Sequence, residues 1–153
     1  MARRLAEEGY RVVACSNAAD AVSELHRAPV ALVLAELRMA PMSGIELTRL
    51  VRDDSGLRDL PVVLITGRSD ATGAVEGFAA GADDVVAKPF HFEVLVARIG
   101  QRLAKARAVR ELRHDNAVLD ARVVTRAIEL GEMRAAFEAS ESERRRLAAL
   151  VRH

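Results

Sequence analysis

The sequence predicts an α/β fold, a doubly wound parallel sheet followed by a long C-terminal helix. Three observations carry this. Four short apolar runs recur between residues 10 and 87, with stretches of about a dozen residues at helical apolar spacing between them. No proline occurs from His91 to the C-terminus.

The runs are Tyr10–Cys15 (YRVVAC), Val30–Leu37 (VALVLAEL), Pro61–Thr66 (PVVLIT) and Asp84–Ala87 (DVVA). They are nearly continuous in apolar residues, the pattern of parallel strands covered on both faces. The intervening helices are predicted over Asn17–Ala28, Ser43–Asp54 and Ser69–Ala80, with Asn17, Ser43 and Ser69 as N-caps. Gly81 stands where a left-handed C-cap is wanted. From His91 the chain reads as one helix of roughly 90 Å at ~1.5 Å per residue, too long for a domain of this size, so it has to project. The predicted division is an α/β domain at 1–104 and a C-terminal coiled-coil helix at 105–153.

Half of the 153 residues are apolar and 29% are charged, a globular composition. The net charge of +1 argues against a nucleic-acid binder driven by bulk charge. Residues 1–90 hold ten basic and thirteen acidic residues, the remainder thirteen and nine. No apolar stretch reaches the ~18 residues of a membrane span, and no signal-peptide core follows the basic N-terminus. The single cysteine, Cys15, sits in an apolar run and reads as a buried inert thiol, which suits a cytoplasmic location. Only Lys88 and Lys105 among the 23 basic residues are lysine. A lysine retained against such an arginine bias points to a site that wants a compact ammonium.

Three separated motifs stand in order: LAELRMAPMSG (Leu34–Gly44), VVLITG (Val62–Gly67) and GADDVVAKPF (Gly81–Phe90). On these motifs residues 1–100 resemble the receiver domain of two-component response regulators, a flavodoxin-like sheet. The resemblance implies an acceptor aspartate at the end of the family's third strand, a Ser/Thr ending the fourth and a lysine ending the fifth. It also implies an acidic pair after the first strand that binds Mg²⁺, and a cis peptide before the proline that follows the lysine. Phosphoryl transfer needs an in-line nucleophile with cations over the spreading charge.

Thr66, Lys88 and Pro89 match this pattern, so the Lys88–Pro89 bond is expected to be cis. The acceptor position holds Glu36, whose carboxylate reaches about 1.5 Å further than an aspartate's. The aromatic switch position holds Val85. The first strand and its acidic pair have no match, because Met1–Leu5 resembles the middle of the family's first helix. The Mg²⁺ site is therefore expected to be absent, with no metal and no other cofactor. The missing strand is the family's central one. Its neighbours must close up, leave backbone groups unpaired or borrow a strand, unless residues upstream of Met1 supply it. Glu36 and Lys88 are expected to form a permanent ion pair that imitates one charge state of a working receiver. Asp83 and Asp84 read as solvated.

From Val109 a 3-4 spacing runs through Val109, Leu112, Asn116, Leu119, Val123, Arg126, Leu130, Met133, Phe137, Ser140, Arg144, Leu147 and Val151. With Val109 at a and Leu112 at d this is a heptad seam, and Asn116 at a favours a parallel, aligned homodimer. His114 falls at the outer f position and reads as solvated, as does the Arg144–Arg146 run.

Together these features predict a degenerate pseudo-receiver in two-component phosphorelay signalling. It is not an enzyme, is not phosphorylated, and transmits state through a dimerising coiled coil. Its expected partners are itself and a histidine kinase or output domain, with neither nucleic acid nor membrane. The rival reading is the N-terminal regulatory piece of a larger enzyme, a histidine kinase or cyclic-di-nucleotide enzyme, which an ending in mid-heptad favours. A third reading, a competent receiver, requires phosphorylation of Glu36.

Overall fold

Apolar runs become strands only where a neighbour takes up their backbone groups, and three of the four runs find one. A computed structural model describes residues 1–151, leaving the last two positions of the predicted tail outside. The order is α1 Ala2–Glu7, α2 Ala18–Arg27, β1 Val33–Glu36, α3 Gly44–Asp53, β2 Val62–Thr66, α4 Ala71–Ala79, β3 Asp84–Ala87 and α5 Phe92–Val151. The sheet is parallel, in the order β1-β2-β3, with Val33 level with Val62 and Val63 level with Asp84.

Every residue of β2 is buried, as a central strand covered on both sides requires. On one face Val33, Leu37, Val62 and Leu64 pack with Ala18 and Leu25 of α2 and with Ile45, Leu47 and Val51 of α3. On the other, Val63 and Val86 meet Leu5 of α1 and Phe92, Leu95 and Ile99 of α5. A Cβ on Gly77 would lie against Leu37, Leu64 and Val85, which places α4 on the first face. The result is the doubly wound, three-layer α/β architecture with a long C-terminal helix.

The fourth run corrects an expectation. Tyr10–Cys15 is not a strand: it carries no regular structure and is exposed from Arg11 to Cys15. Tyr10 packs in the α1–α5 layer and Ala18 in the α2–α3 layer, so the segment passes from one face of the sheet to the other. β1 pairs with β2 alone, so no backbone ladder reaches residues 10–15. Strand propensity without a partner leaves Val12 and Val13 in solvent. Cys15 goes with them: it is exposed, not buried.

Helix starts follow local chemistry. Asn17 accepts a hydrogen bond from the Asp20 amide, and Ser43 and Glu46 form a reciprocal capping box. Gly81 follows α4 with φ +99°. The predicted cap Ser69 is displaced by Asp70, whose carboxylate accepts from the Gly73 amide. The acidic pair also departs from expectation, since neither member is simply solvated. Asp83 accepts from the Val62 amide and from Arg52, and Asp84, 4% exposed, takes Arg98 at 3.0 Å and Arg102 at 3.5 Å. These bonds tie the start of β3 to α3, β2 and α5.

His26 near the end of α2 ties that helix to the end of α3. Its Nε2 lies 2.9 Å from Asp54 Oδ2 and its Nδ1 lies 2.9 Å from the Val22 carbonyl oxygen. Only the imidazolium donates to both acceptors. The Asp54 bond, then the Val22 carbonyl, holds the His26 pKa above its ordinary value, and His26 in turn lowers that of Asp54. A raised histidine pKa adds stability in full below the unfolded value, about 6.5, and loses it as pH climbs through the folded one. The depressed carboxylate adds stability above its unfolded value and loses it as pH falls through its folded one. Between about pH 5 and pH 8 the thermal midpoint of the wild type should therefore fall more than that of His26→Gln. Parallel curves from scanning calorimetry would remove His26 from the pH response.

The chain divides into two compact units, the first being Met1–Ala108 and the second starting at Val109. α5 runs unbroken for 60 residues through that boundary. Among the described residues no helix is long and apolar enough to cross a membrane.

Candidate functional site

Parallel strands deliver their C-terminal residues to one edge of the sheet, where chemistry can converge. Here Glu36 ends β1, Thr66 ends β2 and Lys88 follows β3. The Lys88 amide donates to the Thr66 carbonyl at 2.8 Å, which fixes the lysine against the end of β2. The Lys88–Pro89 peptide is cis, and so is Ala40–Pro41. Glu36 and Lys88 do not sit on adjacent strands, because β2 lies between theirs. Their long side chains close that gap: Lys88 Nζ donates to Glu36 Oε1 at 2.6 Å. Both side chains are about half exposed, at 49% and 46%, so the pair contributes at most about 1 kcal/mol. What it decides is the position of the carboxylate.

Thr66 is 4% exposed, and its hydroxyl points to Asp70 at 3.5 Å, not to Glu36. Asp70 belongs to a network that local sequence patterns did not single out. Arg38, two residues past Glu36, donates to both oxygens of Asp70, Nε at 2.6 Å and Nη2 at 3.0 Å. That fork, followed by the Gly73 amide, holds the Asp70 carboxyl below the usual carboxylate range, and Asp70 raises the Arg38 guanidinium. The only local trace of this arrangement is an aspartate three residues ahead of a glycine. Glu36, Arg38, Thr66, Gly67, Arg68 and Asp70 line an open cleft of about 580 Å³.

Mg²⁺ is ordinarily held by one or two carboxylates, with water and substrate oxygens completing its shell. The cleft offers two carboxylates, Glu36 held by Lys88 and Asp70 held by Arg38. Among the described residues no group of three or more acidic, histidine or cysteine side chains gathers.

The sequence and the fold are matched by known proteins. The profile of the response regulator receiver domain covers residues 1–100. The chain belongs to that family. The two-component response regulator PhoP of Pseudomonas aeruginosa is 40% identical over 106 residues, covering 67% of this chain and 45% of PhoP. The DNA-binding response regulator MtrA of Mycolicibacterium smegmatis is 36% identical over 98 residues, 64% of this chain and 42% of MtrA. The chain thus spans less than half the length of these curated relatives. Among solved structures, FixJ-N superposes with a TM-score of 0.62 at 31% identity, over 67% of this receiver chain and 81% of its own. The receiver domain of a signal transduction histidine kinase from Syntrophus aciditrophicus gives 0.61 at 32%, over 66% and 76%.

The residues of the predicted heptad seam lie in the second unit. Leu112, Leu119, Val123, Leu130, Met133, Phe137, Leu147 and Val151 are each more than half exposed, Val109 is 36% exposed, and Asn116 is exposed with them. His114 is exposed, and Arg144 pairs with Glu141 at 3.9 Å on the same helix.

Proposed function

We propose that this receiver domain works in two-component signalling without accepting a phosphoryl group, its switch replaced by the fixed Glu36–Lys88 pair. One observation carries the reading: the acceptor position holds a glutamate, whose side chain is long enough to reach across β2 to Lys88, Nζ to Oε1 at 2.6 Å. An acceptor has to be free to attack in line, with cations available for the charge on the transferred group. Opening the half-exposed pair costs at most about 1 kcal/mol, so the length of the side chain counts for more. Glutamate also sets the oxygen about 1.5 Å beyond an aspartate's reach, and misplacement of that size costs such chemistry on the order of 10²-fold. The module carries out no catalysis of its own and takes no Mg²⁺ or other cofactor. It acts in the cytoplasm, away from membranes and nucleic acid, and passes its state to a second copy through the α5 seam. A histidine kinase or an output domain stands at the other end of that signal.

Incubation with a small acyl phosphate and Mg²⁺ should leave the intact mass unchanged. A species heavier by one phosphoryl group, mapped to Glu36, would overturn the reading. A second reading, the regulatory part of a larger signalling enzyme such as a histidine kinase or cyclic-di-nucleotide enzyme, draws support from the similarity to a receiver of a histidine kinase. It differs in what the chain is joined to, not in how Glu36 behaves.

A further inference from the structure

The geometry points to a latch between Arg38 and Asp70 that holds α4 to the loop after β1, separately from the Glu36–Lys88 pair. This deepens the reading of a receiver held in one state and rests on that reading only for its consequence.

Asp70 is committed on three sides. Its Oδ1 accepts from the Gly73 amide at 2.9 Å, which caps α4, and Thr66 reaches Oδ2 at 3.5 Å from the end of β2. The Arg38 fork then spans 32 residues of sequence to bond both oxygens. The carboxylate can lie this close over the first turn because residue 73 has no side chain: a Cβ there would collide with the Asp70 carboxyl group. Glu76, one turn along α4, also attracts the Arg38 guanidinium. Asp70 is 20% exposed, so its charge is partly withdrawn from water and its pairing matters more than that of a surface carboxylate.

The loop that carries Arg38 begins immediately after Glu36, so the site carboxylate and the α4 anchor share one short segment. α4 presents Val75 and Phe78 to solvent, 69% and 53% exposed, one turn apart. What the latch fixes is therefore the presentation of that apolar surface. Bidentate arginine–carboxylate pairing gives such a contact direction as well as energy, which a lysine would not reproduce.

Hydrogen exchange on the full chain tests this. Arg38 is 69% exposed, so Arg38→Gln should fold, with a thermal midpoint close to wild type. Exchange of the amides at residues 73–76 should rise roughly five-fold in that variant, while α3 and β2 stay unchanged. Asp70→Asn keeps a good N-cap and loses only the charge, so it should reproduce the effect, and the double variant should add nothing. Arg38→Lys should fall between. Unchanged α4 exchange in Arg38→Gln overturns the latch, and so does a rise spread evenly over the whole first unit. Phosphoryl uptake at Glu36 would strike the proposed function and leave the α4 result standing.

Discussion

Replacing Gly44 with alanine should destabilise the first unit by about 3 kcal/mol, the upper end of what overpacking a rigid contact costs. Gly44 opens α3, and its amide donates to the Leu37 carbonyl at 3.0 Å. A Cβ there would collide with the Glu36 carbonyl oxygen and press on Leu64. Neither neighbour can give. The first is backbone at the end of β1, and Leu64 is fully buried in the central strand. Relief would require shifting α3 off the sheet or moving the end of β1, which also carries the site carboxylate. A loss of this size should lower the thermal midpoint by roughly 10 °C or more for a unit of about 100 residues. It should also disturb Glu36 before global unfolding. A midpoint within a degree or two of wild type would mean that α3 stands further from β1 than the structure places it.

The same contact shows which features a sequence can disclose. Asn17 and Ser43 are legible as caps because both partners of each bond lie within one turn. β3 is legible because the consecutive residues Val85 and Val86 pack on opposite faces of the sheet. Glu36 and Lys88 are legible through the receiver motifs, although the pair has to reach across β2, which spacing alone does not disclose. Tyr10–Cys15 misleads for the opposite reason. Its composition is that of a strand, but a strand exists only when a neighbour takes its backbone groups, and β1 bonds only to β2. Ser69 and Asp70 are equally good caps by type. The choice is made by Arg38, 32 residues away, and by the bare Cα of Gly73. Asp83 and Asp84 are bound by Arg52, Arg98 and Arg102, none of which is local to them. Long-range ion pairs are invisible to periodicity because they depend on which helix faces which strand end.

The second unit should form a parallel, in-register two-stranded coiled coil between two copies of this chain. The helix shows Leu112, Leu119, Val123, Leu130, Met133 and Phe137 to solvent. Burying such residues is worth about 25 cal/mol per Å² of apolar surface, which over several heptads exceeds the propensity of the helix itself. Leucine at d with valine at a at Val109, Val123 and Val151 favours two strands. Asn116, at a between Leu112 and Leu119, costs stability unless its amide meets its own mate, which happens only when the helices are parallel and aligned. The flanks cancel: Glu129 attracts the partner's Arg134, and Asp115 repels the partner's Asp120. Register therefore rests on Asn116. Arg126, Ser140 and Arg144 lower the affinity without changing that logic, since arginine stems can lie along the seam with their charges in water. Sedimentation of the full chain at tens of micromolar should give a dimer. Asn116→Leu should associate more tightly and lose its single stoichiometry, with higher species joining the dimer. A wild type that stays monomeric at that concentration would sink the seam, whereas a dimer unaltered by Asn116→Leu would place the register elsewhere along α5.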